Sequence, residues 1–264
     1  MNVKESVEKQ FGPVAANYAA SAVHAGGPDL AAMLGAVDLS GAERVLDAGS
    51  GAGHTALAFA PKVAEVVALD LAEAMLAQGR RLARERGLSN ITFQRGDVER
   101  LPFPDASFDL VTSRYSAHHY PHPLAALREF ARVLRPGGVF LLVDVVAPEP
   151  PAQDTFLNAI ELLRDPSHVR DHTAEQWLRM CAAAGLAAEQ LGSWALRLEF
   201  ESWVARMNTP LPAIAQIRAL IDGAPREVRA ALAIEEGYSF SVPTALVRGV
   251  AHRTAESYSA EHND

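Results

Sequence analysis

From residue 44 onward the chain alternates short apolar runs with stretches whose apolar residues recur at helical spacing. Arg44–Asp47 is a short β-prone run, followed by a glycine turn over 49–53 and a helix over Thr55–Ala60. Residues 63–70 predict a second strand, 72–86 a long amphipathic helix ended by Gly87, and 90–94 a third strand. A fourth strand is expected over 108–113. A helix over 123–134 stops at Arg135-Pro-Gly-Gly138, and 139–146 reads as a fifth strand, apolar on both faces. Residues 1–40 read as helices, with Asn17-Tyr18 and Gly26-Gly27-Pro28 as punctuation. The second half is looser. It predicts helices over 153–164, 173–184 and 211–222, a strand-like Trp194–Phe200 and a final strand over Thr244–Ala251. The polar tail from Ala255 is expected to fray.

Strands alternating with helices at this spacing imply an α/β fold, a doubly wound, mostly parallel sheet with crossovers on both faces. No internal repeat or low-complexity linker divides the chain, so one domain is expected in three parts. These are an N-terminal helical cap over 1–40, a core over 41–147, and a helical insertion with the C-terminal strands over 148–264. An insertion after the fifth strand lies where the carboxyl ends of the strands open into a crevice. The N-terminal helices lie there too if they fold back, which gives a sheet with a helical lid.

Composition narrows the class. With 264 residues, 49% hydrophobic and 21% charged, the chain can bury a substantial core and is not mainly disordered. No apolar run reaches the ~18 residues of a membrane helix, so no membrane partner is expected. The N-terminus lacks a signal-peptide layout, which makes the cytoplasm the expected address. A single cysteine, Cys181, excludes an internal disulfide framework and a cysteine metal cluster. The net charge of −8 repels a phosphate backbone, so nucleic acid is not an expected partner, and Arg80, Arg81, Arg84 and Arg86 fit the solvated face of one helix. A homodimer stays compatible with the sequence.

The candidate chemistry begins at Val45-Leu-Asp47-Ala-Gly49-Ser50-Gly51-Ala-Gly53-His54. Glycines between a buried strand and a helix let backbone N–H groups approach a ligand and tolerate positive φ. The spacing is G-x-G-x-G, and His54 stands where a dinucleotide fingerprint needs its third glycine. Asp70 ends the second strand, where an acid can accept from both ribose hydroxyls, or simply cap a helix. Gly96-Asp97-Val98 follows the third strand. There the acid can accept from an adenine amino group while the next N–H reaches a ring nitrogen, or it can form an Asx turn.

These motifs resemble the class I S-adenosylmethionine-dependent methyltransferases, in the type-11 group that includes ubiquinone and menaquinone C-methyltransferases. The resemblance is carried by 45–53, Ala68-Leu-Asp70, Gly96 through Asp109 and Arg132-Val-Leu-Arg-Pro-Gly-Gly138, in the family's order and spacing. It implies a Rossmann-like seven-stranded sheet with the last strand antiparallel and inserted between the fifth and sixth, and it makes 41–147 the S-adenosylmethionine-binding core. The cofactor would be S-adenosylmethionine, leaving as S-adenosylhomocysteine. Carried over by position, Asp47, Gly49, Ser50, Gly51 and Gly53 would hold its methionine part, Asp70 the ribose, and Gly96, Asp97 and Val98 the adenine. Leu71 and Met75 would pack near the nucleoside, Tyr18 would cover it, and Arg114 belongs to the same cofactor set. A narrower resemblance over Arg114–His119, Val143–Pro148 and Leu163–Arg170 is to a bacterial branch of small-molecule methyltransferases.

The acceptor side is expected after the fourth strand, where Ser113-Arg114-Tyr115-Ser116 replaces the Asp/Asn-Pro-Pro-Tyr/Phe of enzymes that methylate exocyclic base nitrogens. His119, then His118, are the candidate general bases, with structural packing or helix capping as the alternative for each. Tyr115, His122, His168 and Arg170 are candidates for contacting a small-molecule acceptor, Arg170 by pairing with a carboxylate or phosphate. The histidines could also suggest a metal, but no carboxylate cluster accompanies them, and none is expected. Trp177, Trp194, Trp203 and Cys181 are expected in packing. The reading is methyl transfer to oxygen or carbon of a small molecule by in-line displacement. The alternatives are a cofactor-binding or regulatory protein of the same fold and a nicotinamide-dependent oxidoreductase.

Overall fold

The computed structural model describes residues 2–252; the tail from Ala255 lies outside the described residues. Five parallel strands form the core: β1 (Arg44–Ala48), β2 (Glu65–Asp70), β3 (Ile91–Arg95), β4 (Phe108–Arg114) and β5 (Leu134–Val145). They are completed by β6 (Leu186–Leu198) and β7 (Phe240–Ala251). The seven strands run in the order β3-β2-β1-β4-β5-β7-β6, with β7 antiparallel to both β5 and β6. This is the sheet that the resemblance to class I methyltransferases implies. The order in which successive strands are added reverses between β1 and β4, the switch point at which crevices open beside carboxyl ends.

The helices are α1 (Val3–Ala19), α2 (Ala22–Ala25), α3 (Pro28–Gly35), α4 (His54–Phe59), α5 (Glu73–Glu85), α6 (Pro123–Val133), α7 (Pro151–Arg164), α8 (Ala174–Ala183), α9 (Phe200–Arg206), α10 (Leu211–Asp222) and α11 (Arg226–Ala231). Both sheet faces are covered, which is why β1 and β2 read as continuous apolar runs. On one face Phe130 of α6 and Trp177 and Cys181 of α8 pack on Leu46, Val111 and Phe140. On the other, Met33 of α3 and Phe59 of α4 pack on Val45, Val66 and Leu141. A third cluster, with Leu157, Trp203, Ile217 and Phe240, joins α7, α9 and α10 to the ends of β5, β6 and β7.

The observed elements differ from the expected ones mainly in the second half. The strand expected over Trp194–Phe200 runs instead from Leu186 to Leu198. It is the sheet edge, and its side chains are half polar and exposed along most of its length, so no apolar run announces it. It stops two residues early because the Glu199 carboxylate accepts from the N–H groups of Glu201 and Ser202 and caps α9. α9 itself buries Phe200, Trp203 and Val204, a helical spacing hidden in β-prone residues. α11 also falls in a stretch with no predicted element.

Candidate functional site

The loop after β1 is shaped by its glycines. Gly49, Gly51 and Gly53 have φ of 69°, 53° and 80°. A Cβ at Gly49 would run into the Ser116 hydroxyl, so the loop and the turn after β4 approach as closely as they do only because that side chain is absent. The N–H groups of Gly49 and Ser50 donate to the Leu69 carbonyl at 2.8 and 3.0 Å. Gly51 N–H donates to Asp70 Oδ2 at 2.7 Å, and Ala72 N–H to Asp70 Oδ1 at 2.8 Å. Burial raises the Asp70 carboxyl pKa, and these donors oppose the rise.

Asp70 faces a cleft of about 940 Å³ at the strand carboxyl ends. Tyr18, Gly49, Ser50, Gly51, Leu71, Met75, Gly96, Asp97, Val98 and Arg114 also line it. Asp47 and Gly53 do not reach its wall. Asp47 lies 1% exposed beneath the loop, accepting from Ala56 N–H at 3.1 Å and Thr112 Oγ1 at 2.9 Å, and burial pushes its carboxyl up to about 6. Gly53 caps α4 and turns its absent side chain toward the Phe93 ring. Both support the loop from behind. The Ser50 hydroxyl is buried with no hydrogen-bond partner.

Sequence reasoning missed the part of α1 that closes this cleft. Lys4 Nζ reaches both Asp97 Oδ2 and Glu99 Oε2 at 2.6 Å, and Phe11 lies on the wall beside Tyr18. Arg114, 8% exposed, pairs with Asp29 and donates to the His24 carbonyl, tying the segment before α3 to the end of β4. Pairings across such separations leave no local signal.

A second cavity of about 580 Å³ adjoins the first and shares Phe11, Tyr18, His24, Tyr115 and His119 with it. Tyr115 holds a left-handed φ of 50°, a strained conformation for a bulky residue. His118 Nδ1 donates to Asp144 Oδ1 at 2.7 Å. Burial pulls its pKa down, but the Asp144 charge and hydrogen bond, with Asp171 and Glu161 beyond, outweigh that and raise it to about 9. His119 Nδ1–H donates to the Ser167 carbonyl at 3.1 Å, which leaves the lone pair on Nε2, 3.8 Å from Asp165 Oδ2. Burial and then the adjacent His118 cation lower its pKa to about 4, so it is neutral at neutral pH.

The remaining acceptor candidates lie on neither cavity wall. His122 is exposed and bonded to Glu99. His168 is buried behind the histidine pair, with Nε2 donating to Asn158 Oδ1 at 3.1 Å, and burial pushes its pKa down to about 2. Arg170 is turned onto Asp154. In their place the second cavity brings in Glu161 and Arg164 of α7, Asp171, and Arg206 of α9. A signal for two of these was present. Leu157, Ile160, Glu161 and Arg164 share one buried stripe of α7, so two charges interrupt a core-facing face. Among the described residues no group of three His, Cys, Asp or Glu side chains could hold a metal ion, and no helix is long and apolar enough to cross a membrane.

Comparison with known proteins places this arrangement. The methyltransferase domain family model matches residues 46–142. The uncharacterized methyltransferase YcgJ of Bacillus subtilis is 41% identical over 248 residues, covering 92% of this chain and 98% of its own. Its crystal structure superposes with a TM-score of 0.83 over 86% of this chain and 99% of that one. YafE of Escherichia coli is 42% identical over 77% of this chain and 97% of its own length. The ubiquinone/menaquinone biosynthesis C-methyltransferase UbiE of Pseudomonas putida is 40% identical, but over only 42% of this chain and 46% of its own. Similarity at this level over nearly the whole of YcgJ, on the same sheet, shows that the chain belongs to the S-adenosylmethionine-dependent methyltransferase family.

Proposed function

We propose that the chain methylates oxygen or carbon of a small-molecule acceptor, with S-adenosylmethionine in the larger cleft and the acceptor in the smaller cavity. The observation that carries this reading is the shared wall: ligands filling the two cavities would meet beside Tyr115 and His119. The residues present fit the cofactor. Asp70 and Asp97 offer carboxylate oxygens for a ribose and an adenine amino group, the glycine loop leaves room where a Cβ would collide, and the buried Ser50 hydroxyl awaits a polar partner. Leu71 and Met75 supply apolar packing. When bound, the cofactor supplies an electrophilic methyl group on a sulfonium whose sulfur leaves as a neutral thioether.

The protein's own contribution is orientation and exclusion of water. Phe11 and Tyr18 of α1 roof the junction of the two cavities. His118, held as a cation by Asp144, cannot take a proton at neutral pH. His119 can, because Nε2 carries a lone pair. At a pKa of about 4 it serves first as a hydrogen-bond acceptor that aims an acceptor hydroxyl or acidic carbon, and takes the proton only as the nucleophile transfers its electrons. Asp165 stands ready to balance the resulting imidazolium. The test is incubation with methyl-labelled S-adenosylmethionine and a bacterial small-molecule extract. Label is expected to move into a low-molecular-weight product. Cofactor binding with no label transferred from any extract would favour the binding-protein alternative.

A further inference from the structure

We propose that the acceptor carries an oxyanion, a carboxylate or a phosphate, held in the second cavity by the guanidinium groups of Arg164 and Arg206 beside the Tyr18 hydroxyl. This names the substrate class of the site proposed above and rests on that reading. Arg164 is 7% exposed. Its Nε donates to the Trp203 carbonyl at 3.1 Å and its Nη2 to the Tyr18 hydroxyl at 3.2 Å, with the guanidinium 5.2 Å from the Trp203 ring centroid. These contacts fix the fork in place. The carboxylate nearest to it, Glu161, stands 3.8 Å from Nη1, beyond hydrogen-bond length.

Arg206 projects from α9 onto the other side of Tyr18, 5.9 Å from its ring centroid. Its Nε is inaccessible to solvent and has no hydrogen-bond partner, and among the described residues no carboxylate is ion-paired with it. Two guanidinium groups thus share one wall of a cavity with no carboxylate hydrogen-bonded to either. Arg164 has only the long pairing with Glu161, and a planar oxyanion matches the guanidinium fork. Burial, followed by the Arg164 charge, lowers the Arg206 pKa.

The acids facing these arginines are Glu161 and Asp171. Burial raises the Glu161 carboxyl, and burial with the Glu161 charge raises Asp171 well above the usual carboxylate range. Asp171 Oδ2 is also buried without a partner. On a chain of net charge −8, such a basic wall is also where an anion would be drawn in.

The test is thermal unfolding of the whole protein, with and without S-adenosylhomocysteine, in benzoate, phenyl phosphate or neutral benzamide at fixed ionic strength. At about tenfold excess over Kd, at least one of the two anions should raise the midpoint by about 2–5 °C while benzamide does not. Benzoate against phenyl phosphate then separates carboxylate from phosphate. Arg206→Gln should abolish the anion shift and Arg206→Lys should retain part of it, with S-adenosylhomocysteine titration showing that both variants are folded. Normal S-adenosylhomocysteine binding with equal responses to anions and benzamide would overturn the oxyanion proposal and leave the methyltransferase reading intact. Absence of S-adenosylhomocysteine binding would instead break that reading.

Discussion

Asp144, 1% exposed near the end of β5, accepts hydrogen bonds from the N–H groups of Ala117, His118 and Val145 and from His118 Nδ1. One buried carboxylate thereby sets the turn after β4 and keeps His118 charged, and burial, with that neighbouring charge, keeps His119 neutral. The His118 pKa of about 9 in the folded chain lies above the ordinary 6.5, so the pair's stabilisation is fully present below pH 6.5 and is lost as pH rises through 9. His118→Gln should therefore shrink the stability difference between pH 6.5 and 9, by about 1–3 kcal/mol in urea unfolding. An unchanged difference would show that His118 is not held as a cation.

At the scale of elements, α1 is the part that closes the cofactor cleft. Lys4 ties its start to Asp97 and Glu99, Glu8 pairs with Arg95 at the end of β3, and Gln10 and Asn17 donate to the carbonyls of Met207 and Arg206 at the end of α9. The Lys4 pairs are partly solvated, so each contributes modestly. Lys4→Met should speed S-adenosylhomocysteine dissociation about two- to tenfold in a stopped-flow chase and weaken its dependence on salt. An unaltered dissociation rate would mean that α1 is held by its other contacts alone. The parallel core was legible because strands buried on both faces must be apolar and the loop after β1 must be glycine-rich. The edge strand β6, largely exposed, carries no such demand. Lys4 was illegible for a different reason: its partners lie more than 90 residues away and are set by how α1 folds back.

Across the whole molecule the two cavities draw on different parts of the chain. The cofactor cleft is built largely from the 46–142 core that the family model matches. The second cavity takes only Tyr115, His118 and His119 from that region, and its other walls come from α1 and the segment after it, the end of β5, α7, the Asp171 loop, β6 and α9. Similarity to UbiE extends over 42% of the chain, whereas similarity to YcgJ extends over 92%. This division explains why the lining of the first cleft was legible in motifs and that of the second was not: Arg164 and Arg206 become neighbours only when α7 and α9 pack around Trp203.

The most direct measurement is isothermal titration of the protein with S-adenosylmethionine, S-adenosylhomocysteine and NADH, repeated with Asp70→Ala. Micromolar binding of both sulfur ligands and none of NADH is expected, with affinity reduced about tenfold or more in Asp70→Ala through loss of its hydrogen bonds to the ribose. Failure of both sulfur ligands to bind, or unchanged affinity in Asp70→Ala, would contradict the placement of the cofactor in the cleft beside the glycine loop.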